Sequence, residues 1–394
     1  MVVAQPVGLD LISAGAHGGC MGLPQELLDC IMDMLCDDLR TLKACSLTCK
    51  ALFASTRHLI HQTLHLSARF LSYMAMGERG LLRYTRHLHI PDRSRLTPST
   101  LLPHLHHFQS LDRVHTITIT NYDAIRWGND HRTFFANFYP TLTSLTLAQA
   151  FGSHQSLFQF VLQFPNLENL CLEWLKGVAL IVQDLASPVI IDKPPPLRGH
   201  FRLVGRFSLD APEWPMDGAQ FSNVFNFRSV ELDDLSGNQY ILKACAHTLE
   251  SLTIIPRRAA PHHGHEYMKL LHIVFTEVTI LRRLAFRLKY DPVYPLFGRD
   301  ALLEALLTIT SPNFCELVLE LGGYNPYRMK RCTDYWGSWE ETDRFLKEEF
   351  AEHRDFRLII RTDEPYARQL LESHVGKTFP LLSSRGCVHL EYSQ

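Results

Sequence analysis

The sequence predicts an α/β fold: a small N-terminal helical hairpin followed by an irregular solenoid of alternating strands and helices. Three observations lead there. The stretch Leu23–Phe53 has apolar residues at helical spacing, a six-residue pattern apolar-x-x-apolar-x-apolar recurs from about residue 80 onward, and segments of helical spacing lie between its copies.

In LPQELLDCIMDMLCDDLRTLKACSLTCKALF, Leu27, Leu28, Ile31 and Leu35 fall on one stripe of a helix, with Gln25, Glu26, Asp29 and Asp33 on the other side. Pro24 suits the first turn, where a missing N–H costs nothing, and Glu26 puts negative charge at the positive end of the helix dipole. Asp37 and Asp38 are placed to cap a second helix whose apolar positions are Leu39, Leu42, Cys45, Leu47 and Cys49. Ser55 to Leu66 has the spacing of a third helix. So short a hairpin carries more apolar surface than it can hide internally, so the excess needs a partner.

The series Leu23-Pro24-x-Glu26-Leu27-Leu28, then Ile31, Leu35, Leu39, Leu42 and Cys49-Lys50, resembles the F-box, which would span residues 21–66. The resemblance implies docking on the small Skp-type adaptor subunit of a cullin-RING ubiquitin ligase, while the rest of the chain selects a protein substrate. On that reading the adaptor-binding residues are Leu23, Pro24, Leu27, Leu28, Ile31 and Leu35 on the first helix, and Leu39, Leu42, Cys45, Cys49 and Leu52 beyond it. Leu52, followed by Phe53, stands where many members of the family carry Trp.

The strand-like pattern occurs at Thr85–Ile90, Val114–Ile119, Leu142–Leu147, Leu167–Leu172, Val204–Leu209, Phe227–Leu232, Leu249–Ile254, Leu281–Phe286 and Phe314–Leu319. Weaker copies lie at Asp355–Ile360 and Arg385–Leu390, and the clearest four read LTSLTL, LENLCL, LESLTI and LRRLAF. Helical spacing fills the gaps at Thr100–Leu111, Arg132–Tyr139, Gln155–Phe164, Gln239–His247, Tyr267–Val278, Arg299–Ile309 and Glu340–His353. Such gaps are long enough to cross between parallel strands, and each unit buries its apolar face only by stacking on its neighbours, which makes residues 80–394 an α/β solenoid. The pattern resembles leucine-rich repeats of the long, ribonuclease-inhibitor-like kind and implies a horseshoe. It departs from them at Ala150, Leu175 and Leu235, where the consensus has Asn or Cys. A doubly wound open sheet is the competing arrangement.

Residues 1–20, rich in Gly and Ala and without periodicity, read as a disordered leader. Asp192–Gly199, with Pro194-Pro195-Pro196, reads as a loop between halves of the array. Tyr324–Trp339 is aromatic, polar and turn-rich, the composition of a projecting insertion. Its Tyr324, Tyr327, Arg328, Tyr335, Trp336 and Trp339 are the expected substrate contacts, since Tyr, Trp and Arg dominate interface hot spots; the alternative is that the rings cover the end of the solenoid.

Composition narrows the function classes. The 394 residues carry a net charge of −2, and Lys and Arg are scattered, so a nucleic-acid footprint is not indicated. Neither a transmembrane run nor a basic region before an apolar signal stands out, which points to the cytoplasm or nucleus. The ten cysteines, Cys30, Cys45, Cys171, Cys245 and Cys315 among them, sit in apolar patterns without a Cys-x2-Cys pair, as buried small hydrophobes do.

No catalytic motif emerges. His262-His263-Gly264-His265-Glu266 fails the zincin spacing because Lys269 stands where a second His is needed, and His104, His106 and His107 have no acidic ligand nearby in sequence. Gly322-Gly323 opens into Tyr324-Asn325-Pro326 rather than a helix, and no nucleophile elbow occurs. The expectation is therefore a non-enzymatic binding protein with no cofactor and no metal. Two other readings stay open: a repeat scaffold whose hairpin only caps the first repeat, and an enzyme whose site is assembled from residues distant in sequence.

Overall fold

The computed structural model describes residues 23–67, 70–71, 82–91, 102–108, 111–121, 130–149, 151–152, 157, 160–173, 176–177, 197–204, 225–232, 239–255, 275–289, 299–322, 339–350, 355–362 and 367–392. The expected leader and the group around His262 lie outside them, as do Tyr324, Tyr327, Arg328, Tyr335 and Trp336.

Three helices open the chain: α1 (Gln25–Met34), α2 (Leu39–Ser46) and α3 (Lys50–Ile60). Pro24 is the residue before α1, and its carbonyl accepts the N–H groups of Leu27 and Leu28. Asp38 caps α2, accepting from the Thr41 N–H at 3.0 Å and hydroxyl at 2.6 Å, contacts that hold its carboxyl below the usual range. The third helix stops six residues short of the sequence expectation. His61 ends it, its N–H donating to the Arg57 carbonyl at 3.2 Å, and the next residues extend as the strand β1 (Thr63–His65).

β1 is the first of twelve parallel strands that pair in chain order: β2 (His87–Ile90), β3 (Thr116–Thr120), β4 (Ser144–Ala148), β5 (Asn169–Glu173), β6 (Leu197–Val204), β7 (Phe225–Leu232), β8 (Ser251–Ile254), β9 (Arg283–Lys289), β10 (Glu316–Gly322), β11 (Arg357–Thr362) and β12 (Val388–Tyr392). Sequential pairing of this kind is a solenoid and excludes the doubly wound order, in which the strand sequence reverses. The fold is thus a leucine-rich-repeat-like α/β horseshoe.

One hydrogen-bonding device repeats along it. The carbonyl just before a strand accepts two N–H groups from the next unit: Gln62 from Arg86 and His87, Arg86 from His115 and Thr116, His115 from Thr143 and Ser144, Thr143 from Glu168 and Asn169. Glu250 and Arg282 repeat it, and across all six the distances are 2.8–3.2 Å. The carbonyl uses both lone pairs, so each unit is fixed in register to the one before it.

The apolar members of the pattern all point to one side. Leu145 and Leu147, Leu170 and Leu172, Leu252 and Ile254, Leu284 and Phe286 are buried against helices on that face. In the first half the filling is largely phenylalanine. Phe134, on the helix α4 (Asp130–Phe135), meets Phe108 edge-on at 5.4 Å, and Phe135 meets Phe160 at 5.0 Å; pairs of this geometry add about 0.5–1.5 kcal/mol beyond area burial. The second half is covered by α5 (Gln239–Cys245), α6 (Arg299–Leu307) and α7 (Glu340–Phe350).

Two further helices, α8 (Ala367–Thr378) and α9 (Pro380–Ser384), lie where the sequence showed no clear helical signal. They close the last unit. Asp343 of α7, fully buried, accepts the N–H groups of Leu381 and Leu382 at 2.8 and 3.1 Å, so one helix supplies the N-terminal cap of another.

β6 departs from expectation. The sequence pattern predicts a strand at Val204–Leu209 with a loop through Gly199, yet the strand is Leu197–Val204 and begins straight after the proline run. The pattern fails because exposed Arg198 stands three positions before Phe201, where an apolar residue is needed; alongside, Gly199 pairs with Phe227 and His200 with Ser229, so Arg228 is an extra residue in the neighbouring strand. In β6 the first buried apolar residue, Leu197, stands four rather than three positions before Phe201, and the six-residue pattern does not match it.

Gly199 itself has φ +91°, and a Cβ there would lie 2.3 Å from the Glu168 carbonyl oxygen. That oxygen accepts the His200 N–H at 2.8 Å and cannot retreat without breaking the ladder. Gly199→Ala should therefore destabilise the chain by roughly 2–4 kcal/mol, strain and overpacking together. Denaturant unfolding measures this, and a shift below ~0.5 kcal/mol would show that β6 relaxes freely.

Candidate functional site

Two surfaces can carry a function, and the first is the hairpin. α3 packs on both α1 and α2, and the Gln25 side chain donates to the Ser55 hydroxyl at 2.6 Å, tying the first helix to the third. Leu28 and Met32 turn inward from α1, and Leu42 is completely buried from α2. Leu27 and Ile31, one helical face round from Leu28 and Met32, remain 49% and 41% exposed. Leu23 at 52%, Leu39 at 46% and Phe53 at 48% are equally open. Pro24 is exposed as well, whereas Leu35, Cys45, Cys49 and Leu52 are half-buried.

The sequence-read set therefore divides. Leu28 and Leu42 form the core of the hairpin, and Leu23, Pro24, Leu27, Ile31 and Leu39 form an open apolar surface. Met34 and Leu47, more than four-fifths exposed, extend it. Met34 follows Leu27 and Ile31 at seven and three residues, a spacing legible in the sequence but masked by the double leucine at 27 and 28. So many large apolar side chains left in water on one small unit mark an association surface.

The second surface is the open face of the sheet, opposite the helices. Register sets its residues in rows. One row runs His65, His89, Thr118, Thr146, Cys171, Arg202, Glu231 and Thr253, then Ala285, Val318, Ile359 and His389. Its first four members are imidazoles and hydroxyls. His65 and His89 bring their Nδ1 atoms to 2.8 Å, and His89 Nε2 lies 3.3 Å from the Thr120 hydroxyl.

The second half is a set of charges arranged around a small apolar strip. Ala285, Val318 and Ile359 form a buried cluster of their own on this face. Beside it Arg287 donates to Glu320 at 2.6 Å and to Glu231 at 3.0 Å, and Arg361 donates to Glu320 at 3.0 Å and to Glu391 at 2.6 Å. On the other side Glu316 is shared by Arg283 at 2.7 Å and Arg357 at 3.0 Å. Arg202 Nε reaches Glu231 at 3.0 Å as an ion pair whose N–H is not aimed at the oxygen. These carboxylates alternate with arginines, and single pairs of this exposure contribute about 0.2–1 kcal/mol, so their main effect is to hold the arginine stems over the apolar strip. Carboxylate contacts keep the Arg361 guanidinium above its ordinary value, and those on Arg287 outweigh the opposing effect of its burial.

Catalytic chemistry finds little support on this face. Burial, with Glu173 beside it, pushes the Cys171 thiol up to about 12, so it stays protonated and is a poor nucleophile. Burial does the same to Cys245. Among the described residues no group of three or more His, Cys, Asp or Glu is placed to hold a metal ion, and no helix is long and apolar enough to cross a membrane. Trp339, the described member of the expected aromatic contacts, is partly buried against the core and meets Phe379 edge-on at 5.2 Å.

Burial is the first cause that lowers His61, His87, His89 and His200 below the ordinary imidazole value. The unfolded chain then binds more protons than the folded one as pH falls below about 6.5, so stability is full above that value and is lost on acidification. His200, hydrogen-bonded to the Ser229 hydroxyl at 3.0 Å, offers a test. His200→Gln should flatten the fall in denaturation midpoint between pH 7.5 and pH 5.5, and an unchanged slope would remove His200 from the titration.

No protein-family model matches the chain, and no curated protein does. Among solved structures, the leucine-rich repeat-containing protein LegL7 from Legionella pneumophila is 14% identical with a TM-score of 0.37, covering 66% of this chain and 83% of that one. The yeast complex of Rad7 and Elc1 is 13% identical with a TM-score of 0.39, covering 86% of this chain and 84% of that one.

Proposed function

We propose that the chain is the substrate-recognition subunit of a Skp-cullin-F-box type ubiquitin ligase. The observation that carries this reading is the open apolar surface of the hairpin, Leu23, Leu27, Ile31, Met34, Leu39 and Phe53, on a unit whose own core is already closed by Leu28, Met32 and Leu42. The hairpin, residues 21–66, docks on a Skp-type adaptor, and the repeat region to residue 394 holds a protein substrate. The chain performs no bond chemistry. It acts by proximity, since a tethered substrate meets the charged ligase at high effective concentration. The face of the sheet between β2 and β5, with its hydroxyls and imidazoles, and the segment 324–339 are the parts assigned to substrate, in the cytoplasm or nucleus.

The reading separates from a repeat scaffold with a capping hairpin by one experiment. The full chain expressed in cells should co-purify with a Skp-type adaptor, and Leu27→Asp or Ile31→Asp should weaken that association by at least 100-fold, because a charge placed in a desolvated helix interface is left unpaired. Both side chains are exposed in the free chain, so its melting temperature should stay within a degree or two, whereas Leu42→Asp should unfold the hairpin. Wild-type binding by Leu27→Asp would assign the hairpin to capping.

A further inference from the structure

We infer that His65 and His89 form a binding site for a divalent transition-metal ion at the first edge of the sheet. The inference is independent of the adaptor reading. His65 ends β1 and is exposed; His89 is its direct partner in β2. Their rings meet at 74° with centroids 4.9 Å apart, which turns the two Nδ1 atoms toward each other at 2.8 Å. In the free chain one of these nitrogens donates to the other.

Two imidazole nitrogens on one tetrahedral zinc ion, at about 2.0–2.1 Å each, stand roughly 3.3–3.4 Å apart. The pair therefore has to open by about 0.5 Å, a small torsion of an exposed side chain, to exchange its proton for an ion. The Thr120 hydroxyl on His89 Nε2 at 3.3 Å is the outer contact that fixes the orientation of a ligating ring.

Since no third His, Cys, Asp or Glu among the described residues completes the site, the protein supplies two ligands and leaves the remaining positions open to solvent or to a ligand from another molecule. An ion there would clip β1, a strand of three residues, to β2. It would fix the point at which the hairpin joins the solenoid.

The test uses the full chain, stripped with chelator and titrated with Zn2+ alone by calorimetry at pH 7.5. The chain has 21 histidines, so the informative quantity is a difference. The double variant His65→Gln, His89→Gln should bind one ion fewer than wild type, and Zn2+ should raise the melting temperature of wild type more than that of the variant. His65→Gln alone, at an exposed position, should show the same loss and serves if the double variant does not fold. Equal stoichiometry in variant and wild type, or no Zn2+ bound by wild type, overturns the site and leaves the pair as a hydrogen bond.

Discussion

The structure depends on a carbonyl that accepts twice. At Gln62, Arg86, His115, Thr143, Glu250 and Arg282 the oxygen just before a strand takes two N–H groups from the following unit. The device fixes register without using any side chain, so the side chains on the open face are free to vary in chemistry while staying in row. A slip by one residue would turn every apolar strand residue out and every polar one in. The histidine pair at one end of the face and the arginine–glutamate ladder toward the other are both consequences of that fixed register.

Where the sequence obeyed the six-residue pattern, the strands were legible. LTSLTL, LENLCL, LESLTI and LRRLAF correspond to β4, β5, β8 and β9, because alternation over a half-buried strand leaves a readable trace. At β1 the spacing predicts the end of a helix, since His61-Gln62-Thr63-Leu64-His65-Leu66 suits either period over so few residues and only the ladder from Gln62 decides. β6 escapes the pattern because Arg198 stands where the apolar residue three positions before Phe201 is needed. α8 and α9 were missed for another reason. The first turn of α9 is held by a tertiary cap, the buried Asp343, which no local pattern announces.

The hairpin shows how far periodicity goes toward a site. Spacing identified a helix with two adjacent leucines, and either could have faced inward. Packing against α3 resolved this in favour of Leu28 with Met32, so Leu27 and Ile31 became surface rather than core. Amphipathicity read from sequence thus locates an apolar helix but does not say which part of a wide apolar stripe is spare. The paired rows of the open face were not legible at all, since Arg287, Glu320, Arg361 and Glu391 are far apart in the chain and meet only through strand register.

The two halves of the open face differ in what a partner would have to displace. From β7 to β12 the carboxylates of Glu231, Glu316, Glu320 and Glu391 are already held by arginines, and a ligand taking one of those charges must first break a contact of 2.6–3.0 Å. Such exchange gains little, because one ion pair replaces another at the cost of desolvating both partners. From β1 to β5 the face carries imidazoles, hydroxyls and a thiol, with the Glu173 carboxylate at the end of β5 beside Cys171. The charged half serves the solenoid itself, shielding Ala285, Val318 and Ile359 where the sheet carries an apolar strip on its open side.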